Sequence, residues 1–288
     1  MSGSVRLVLV LVTILLAIGV DAAAQSTTTP PVPPVQAAED PDPALQLDPV
    51  EPEFTLGALP TSLRMPAGKF AFRMTHRFAR PIASGDAGDF FADLFGFDSA
   101  ARIGLEVRYG VRPGTQVTFH RTNDRSLQLF GQQRVLTAGG PAALTVDAIG
   151  AVEGANNFSE AFAGSVGAIL SRRVGGRGVL YVQPIGVFNA NPDADANGQS
   201  DHTMLLGLGG RLRLGQSRVY LVVEAAPQVA GYNLGVDHVS LGIERRAGGH
   251  MFQFTVANSL GTTLRQIARG GVNSDDWYVG FNLTRRFF

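Results

Sequence analysis

Apolar and polar residues alternate with a period of two along most of the chain beyond residue 69. Phe70 and Phe72, for example, fall on one face of their segment and Arg73 on the other. Such alternation is typical of β-strands that have one apolar and one polar face. It predicts about twelve strands, at 69–79, 102–111, 115–123, 126–136, 143–153, 160–172, 178–188, 203–214, 217–226, 237–246, 249–258 and 277–287. The fourth and fifth are the least regular, because Gln133 and Ile149 fall on the wrong faces.

The connections between these strands alternate between short and long. The short ones are rich in Gly and Pro, which favour tight turns, and lie at 112–114, 138–141, 175–178, 215–216 and 247–249. The longer ones lie at 81–101, 154–159, 189–202, 227–236 and 259–276, with a tight exception at 123–125. Short turns at one end and long loops at the other are typical of outer-membrane barrels, whose short turns face the periplasm.

The polar faces of the strands carry many charged residues. If the apolar faces meet lipid, the charged faces must point into an enclosed interior. The sheet must also close on itself, because an open edge would leave backbone groups unpaired in hydrocarbon. We therefore predict an all-β fold, a closed antiparallel transmembrane β-barrel of about 12 strands spanning residues 59–288. The residues predicted to face its lumen are Arg73, Arg77, Arg102, Glu106, Arg108, His120, Arg211, Arg213, Glu224 and Glu244. A soluble periplasmic barrel or sandwich is the alternative, because the phase of the alternation does not say which face is inside.

Aromatic residues support the membrane interpretation. Those in the outward phase cluster near the two strand ends, at Phe78, Phe188 and Trp277 on the loop side and at Phe70, Tyr109, Phe252 and Phe287 on the turn side. Two such girdles mark the membrane interfaces of a barrel, so outer-membrane lipid is an expected partner. The chain ends in Phe288, which predicts recognition by the barrel assembly machinery, although Phe287 is the residue in phase with the lipid-facing positions.

The N-terminal region reads as a secretory signal followed by a linker. Arg6 precedes an apolar run at 7–20, and three alanines at 22–24 form a small-residue cleavage site. A membrane anchor is the alternative, but the run is shorter than the roughly 20 residues that a spanning helix needs. We predict a signal peptide at 1–24, a disordered periplasmic linker at 25–58 and a location in the bacterial outer membrane.

Composition narrows the classes of partner. Basic and acidic residues both number 24, so no net charge attracts nucleic acid. The chain has no cysteine, which excludes disulfides and thiolate metal sites. Lys69 is the single lysine, and every other basic side chain is an arginine, which suits charges held in fixed hydrogen-bonded networks.

Several short stretches resemble an uncharacterised family of bacterial β-barrel proteins that is defined as a domain of unknown function. They are His76-Arg77-Phe78, Phe95-Gly-Phe-Asp98-Ser99, Tyr109-Gly110-Val111, His120-Arg121-Thr122, Gly207-Leu-Gly-Gly210 and Gly248-Gly249-His250-Met-Phe-Gln-Phe254. Together they span roughly the whole predicted barrel, and their order and spacing are more specific than any one of them. The resemblance implies a barrel in the bacterial envelope, and it implies no activity or catalytic residues.

One predicted outer loop could bind calcium. Alternating oxygen-bearing side chains and a glycine resemble the first part of a calcium-binding loop, with candidate ligands Asp193, Asp195, Asn197 and Asp201. Met204 stands where the final bidentate acid is expected, so a solvated loop is the alternative. We expect no other cofactor.

The first long loop contains a segment, 89–95, that predicts a short amphipathic helix. It could fold over the barrel mouth and gate it, or pack on the rim with its aromatic side chains in the membrane interface.

The predicted function is a narrow porin-like path for small polar solutes, because rings of inward charge select ions in pores. The same charges could instead form a paired network that fills a structural or ligand-binding barrel without transport, since twelve strands lie between filled and open barrels. An outer-membrane hydrolase is a further alternative, for which His120, His238 and Ser240 are the available groups. No nucleophile motif accompanies them, so we expect no enzyme.

Overall fold

The computed structural model describes residues 48–82, 84, 100–139, 144–191, 200–232, 236–271 and 273–287. The predicted signal peptide, the linker up to residue 47, the helix at 89–95 and the terminal Phe288 lie outside the described residues. Those predictions stay as they are.

The described residues form thirteen strands and one short helix. In chain order the strands are β1 (Phe70–Phe78), β2 (Ala101–Arg112), β3 (Thr115–Thr122), β4 (Leu127–Ala138), β5 (Leu144–Ala155), β6 (Glu160–Val174), β7 (Gly178–Phe188), β8 (Thr203–Arg213), β9 (Val219–Ala226), β10 (Gln228–Gly231), β11 (His238–Ala247), β12 (His250–Ala257) and β13 (Tyr278–Phe287). The helix, α1 (Leu264–Arg269), lies in the last long loop.

The strands close into an antiparallel barrel. Apart from β10, each strand pairs with the strands before and after it in the chain, with β9 pairing directly with β11, and β1 pairs with both β2 and β13, which joins the two ends of the sheet. The short strand β10 follows β9 after Pro227, and both pair with β8. Proline cannot donate to a ladder, which explains the interruption. The predicted fold, a closed antiparallel barrel of twelve strands, is therefore confirmed, with β10 as one extra strand.

The orientation of the side chains distinguishes the two predicted alternatives. In β2, Leu105 and Val107 are 46% and 45% exposed on the outer surface, whereas Glu106 and Arg108 are 5% and 2% exposed in the interior. A soluble sandwich would bury the apolar face and expose the charged one. The opposite arrangement suits a barrel whose outer surface meets lipid. Among the described residues, no helix has the length and apolar character needed to cross a membrane.

A bulge explains part of the irregular pattern in the fourth and fifth strands. The register between β4 and β5 shifts at Val135, so the residues beyond it change face relative to those before it. Ile149 points inward and is only 6% exposed, because it belongs to an apolar cluster within the lumen.

Residues 48–65 run into the barrel and, apart from Asp48, Pro49 and Arg64, are buried there. They are called the lumenal hairpin below. Its tip is closed by backbone hydrogen bonds from Leu56 N to Leu59 O and from Thr61 N to Phe54 O, both 2.8 Å long. The prediction of a disordered linker is therefore wrong for residues 48–58, whose backbone is held by the lumen wall. No strand or helix pattern is visible in these residues, because contacts with the wall order the segment.

The lumen is filled from both ends. The lumenal hairpin enters at the turn end, where Met65 N donates to the Gln116 side chain at the start of β3. Helix α1 enters from the loop end and is capped by the Thr263 hydroxyl, which accepts from Gln266 N. Apolar residues of both insertions join wall residues in one buried cluster, which includes Leu56, Leu59, Leu264, Ile267, Ile185 and Leu205.

Candidate functional site in the filled lumen

The tip of the lumenal hairpin is bound by one carboxylate. Glu224 on β9 points inward and accepts hydrogen bonds from Gly57 N at 3.0 Å, Ala58 N at 2.8 Å and Leu59 N at 2.9 Å. Its side chain is fully buried. Hydrogen bonds to an ionised acceptor are about twice as strong as neutral ones, and a buried carboxylate needs such donors. We call these contacts the Glu224 latch.

The latch continues towards the loop end. His238 Nε2 lies 3.0 Å from Glu224 Oε1, and His238 Nδ1 lies 2.6 Å from the hydroxyl of Ser259. The sequence indicated His238 and Ser240 as a possible pair. In the structure the hydroxyl that contacts His238 is that of Ser259. A serine, a histidine and a carboxylate are also the parts of a hydrolase triad. Here Ser259 is only 3% exposed and the carboxylate is occupied by hairpin amides, so the geometry is that of a structural contact.

The carbonyl of Gly57 is a second anchor of the hairpin tip. It accepts from Arg73 Nη2 at 2.8 Å, from Asn282 Nδ2 at 3.1 Å and from Arg77 Nη2 at 3.3 Å. A Cβ at position 57 would lie 2.5 Å from both Glu224 Oε1 and the Ser240 hydroxyl. Only glycine therefore fits between the latch and the wall.

The part of the hairpin that precedes its tip contacts a second charged pair. Arg211 is bound by Glu244 through a 2.8 Å contact of Nε and donates at the same time to the carbonyls of Thr55 and Glu53. Such a guanidinium can serve a carboxylate and two carbonyls because its donors form a fixed fork. These carbonyls would otherwise lack hydrogen-bond donors inside the lumen.

The Phe54 ring lies between two guanidinium groups. Arg108 is 4.8 Å from the ring centroid and Arg286 is 5.4 Å from it, both within the range of cation–π contact. Arg108 is also bound to Glu106 by a 2.8 Å contact. The hairpin therefore contributes an aromatic surface to a part of the lumen that is rich in arginine.

Near the turn end, side-chain amides and carboxylates hold the rest of the hairpin. Gln132 donates to Thr61 O at 2.7 Å, and Tyr181 donates to Glu51 at 2.7 Å. Arg64 forms an ion pair with Asp147 of β5. Burial lowers the pKa of Arg64 to about 10 despite that carboxylate, which leaves the guanidinium charged at neutral pH.

The residues predicted to face the lumen separate into two groups. Those buried in the interior are Arg73, Arg77, Glu106, Arg108, His120, Arg211, Glu224 and Glu244. Arg102 lies at the loop rim beside Asp124, and Arg213 lies at the turn rim, where it donates to the carbonyls of Gln216 and Ser217. The interior group is thus brought together around the lumenal hairpin.

Three of the four predicted calcium ligands, Asp193, Asp195 and Asn197, lie outside the described residues. The fourth, Asp201, is described, and its main-chain carbonyl accepts from Ala190 N at 2.7 Å. Within the described ranges, no group of three acidic or histidine side chains is placed to hold a metal. Calcium binding stays a prediction.

Several residues that hold the hairpin were missed in the sequence. The most important are the inward amides Gln132, Gln183, Gln253 and Asn282. Ser259 was also missed, and it acts on the hairpin only through His238 and Glu224. Repeated glutamine on the inward phase was the available signal, because an amide can satisfy backbone groups of an inserted segment. The apolar residues of 54–65 were a second signal, since a solvated linker has little use for them.

A closed sheet with an apolar outer face and a charged, filled interior defines a membrane-embedded β-barrel. The chain belongs to the family described as membrane bound beta barrel domain (DUF5777), whose model matches residues 54–287. That range includes most of the lumenal hairpin, so hairpin and wall belong to one domain. Among curated proteins, none matches the sequence.

Solved structures with a similar fold are other barrels. The KdgM porin has a TM-score of 0.48 at 7% identity, over 76% of this chain and 99% of the porin. Outer membrane phospholipase A from Escherichia coli has a TM-score of 0.43 at 14% identity, over 75% of this chain and 89% of the phospholipase. At such identities and TM-scores, these likenesses carry no argument about function.

Proposed function

We propose that the protein is an outer-membrane β-barrel that its own lumenal hairpin keeps closed, so that small polar solutes pass only when the hairpin leaves the lumen. The observation that carries this proposal is the burial of the hairpin. Phe54, Leu56 and Leu59 are at most 1% exposed, although they belong to none of the strands that form the barrel wall. This closed barrel replaces the open porin-like path as the preferred function.

The contacts of the hairpin favour a removable insertion. Residues 66–69 connect it to β1, and most of its hydrogen bonds to the wall come from arginine, glutamine and glutamate side chains. Water can replace these partners once the hairpin has left. The interior would then be a hydrated, charged channel of the kind that selects small polar solutes.

A permanently filled barrel with a structural or binding role is the second candidate. The buried cluster that joins Leu56 and Leu59 to Ile267 of α1 favours it, because apolar residues lose free energy when water enters. In that case the hairpin is part of the folding core.

Conductance in planar bilayers tests both candidates. The wild-type barrel should give no stepwise conductance, whereas a variant that lacks residues 50–63 should give steps. Heat-modifiable migration on gels verifies that the variant is folded. Stepwise conductance of the wild type, equal to that of the deletion, would disprove closure by the hairpin. A folded deletion variant that stays silent would favour the permanently filled barrel.

We infer further that the short turns face the periplasm and that the host membrane is the outer membrane of a bacterium. A predicted secretory signal followed by a barrel with a lipid-facing outer surface supports this, because the short turns of outer-membrane barrels face the periplasm. Recognition of the C-terminal strand by the assembly machinery remains a prediction. Fractionation on a sucrose gradient tests the location, and recovery in the inner membrane would disprove it.

A further inference from the structure

Charged residues outside the lumen are distributed unevenly along the barrel axis. The turns and outward positions at the turn end carry cations that include Arg112, Arg172, Arg177, Arg218, Arg245 and Arg285. No acidic residue occurs in 66–70, 109–116, 133–146, 172–180, 212–219, 245–252 or 283–288. The acids close to these segments, such as Asp147 and Glu244, point into the lumen and are buried. Among the described residues, the outer surface of the turn end is therefore predominantly cationic, and the acid Asp48, at the entrance of the hairpin, is paired with Arg173.

Two of these arginines face lipid on β11 and β13, the two strands that flank β12. Arg245 of β11 is in register with Phe252 of β12, which is in register with Leu283 of β13. Arg285 lies two residues closer to the rim than Leu283. With strands about 4.8 Å apart and residues about 3.3 Å apart along them, the two Cα atoms are roughly 12 Å from each other. Two arginine side chains can converge over that distance.

An apolar groove on the outer surface lies directly below these arginines. It has a volume of about 530 Å³ and is lined by Arg245 together with Ile243, Phe252, Phe254, Phe281 and Leu283. Phe252 and Phe254 are 50% and 51% exposed, so the groove opens towards the hydrocarbon. A cationic group at the head of an apolar groove matches the two parts of a phospholipid.

We propose that this face binds an anionic phospholipid of the turn-side leaflet, with its phosphates on Arg245 and Arg285 and an acyl chain in the groove. Arginine suits phosphate because its planar fork donates two parallel hydrogen bonds. A zwitterionic lipid fits less well, because the described residues around Arg245 and Arg285 offer no acidic partner on the outer surface to its own cationic group. The proposal is independent of whether the lumen opens.

Native mass spectrometry of the delipidated full-length mature barrel tests this site. The probes are dioleoyl phosphatidylglycerol and dioleoyl phosphatidylcholine, added separately at low ionic strength. The wild type should bind phosphatidylglycerol more tightly, and Arg245→Gln with Arg285→Gln should remove that preference. Because each basic residue near a lipid surface changes the binding constant about fivefold, the double variant should lose about 30-fold in affinity for phosphatidylglycerol.

A matched control separates a site from a diffuse cationic surface. Arg172 and Arg177 lie at the same rim near the β6–β7 turn, away from the groove, so Arg172→Gln with Arg177→Gln should keep the preference. Equal binding of both lipids by the wild type would overturn the proposal. An equal loss in both double variants would also overturn it, since the binding would then be general attraction. Heat-modifiable gel migration verifies that each variant is folded.

Discussion

Weakening the Glu224 latch should release the lumenal hairpin without disturbing the wall. In Glu224→Gln one of the two acceptor oxygens becomes an NH₂ group. Glu224 Oε2 now accepts from Gly57 N and Leu59 N, and Oε1 accepts from Ala58 N. Whichever way the glutamine amide turns, at least one buried N–H then faces a donor.

The cost can be worked from these contacts. A buried donor left without its partner costs about 1–3 kcal/mol, and the remaining bond changes from an ionised to a neutral acceptor. We therefore expect hairpin binding to weaken by about 3 kcal/mol. Since 1.4 kcal/mol corresponds to a factor of about ten, the fraction of molecules with a released hairpin should rise about 100-fold.

Cysteine labelling measures that fraction directly. The chain has no cysteine, so Ala58→Cys introduces a single thiol at the hairpin tip, where the native side chain is 8% exposed. A maleimide on a polymer too large for the lumen reacts only with released hairpins, and its rate follows the opening equilibrium. Labelling should be about 100-fold faster when Ala58→Cys is combined with Glu224→Gln.

The control removes another lumenal charge. Glu153 on β5 is buried and bonded to Thr263 and Gln128, without a hydrogen bond to the hairpin. Adding Glu153→Gln to Ala58→Cys should leave the labelling rate nearly unchanged. An equal acceleration by both substitutions, or no acceleration by Glu224→Gln, would refute the latch.

Three further substitutions test other parts of the structure. Phe54→Ala removes a ring that is 1% exposed and its two guanidinium contacts, so it should weaken hairpin binding by about 3–5 kcal/mol and accelerate labelling of the same introduced thiol. Thr263→Val removes the cap of α1 and should speed amide hydrogen exchange of Gln266, with a loss of about 1 kcal/mol in helix stability. Val107→Arg places a charge on the lipid face and should lower the free energy of unfolding in urea by about 2–4 kcal/mol. An unchanged labelling rate, exchange rate or free energy of unfolding would contradict, respectively, the role of Phe54, the cap at Thr263 or the lipid-facing position of Val107.

The barrel wall could be predicted from the sequence because its determinants are local. A strand needs only a period of two and a turn signal, and both are visible within a dozen residues. The segment predicted at 115–123, for example, is observed as β3, Thr115–Thr122. The strand pairing then follows from antiparallel neighbours, and the even strand number follows from the alternation of short and long connections.

The filling of the lumen could not be predicted in the same way. Gly57 and Glu224 are 167 positions apart, and no repeated pattern connects them. The hairpin has only one isolated bridge, Thr55 with Pro60, so it carries no strand signal of its own. Helix α1 has six residues, which is too short for an amphipathic pattern to stand out. The prediction of an open path rested on the inward charges, but such charges suit a filled network equally well, so they do not distinguish the two interiors.

The two insertions meet at one carboxylate, which has a consequence for how the barrel would open. Glu224 binds the tip of the hairpin, which enters from the turn end. Glu224 also contacts His238, which in turn contacts Ser259, a residue that precedes α1 in the last loop. Withdrawal of the hairpin removes three amide donors from a buried charge that then keeps His238 as its main partner. A buried carboxylate with so few donors is unfavourable until water enters. Opening at the turn end therefore favours hydration around Ser259, and the contacts that hold the last loop in the lumen weaken with it.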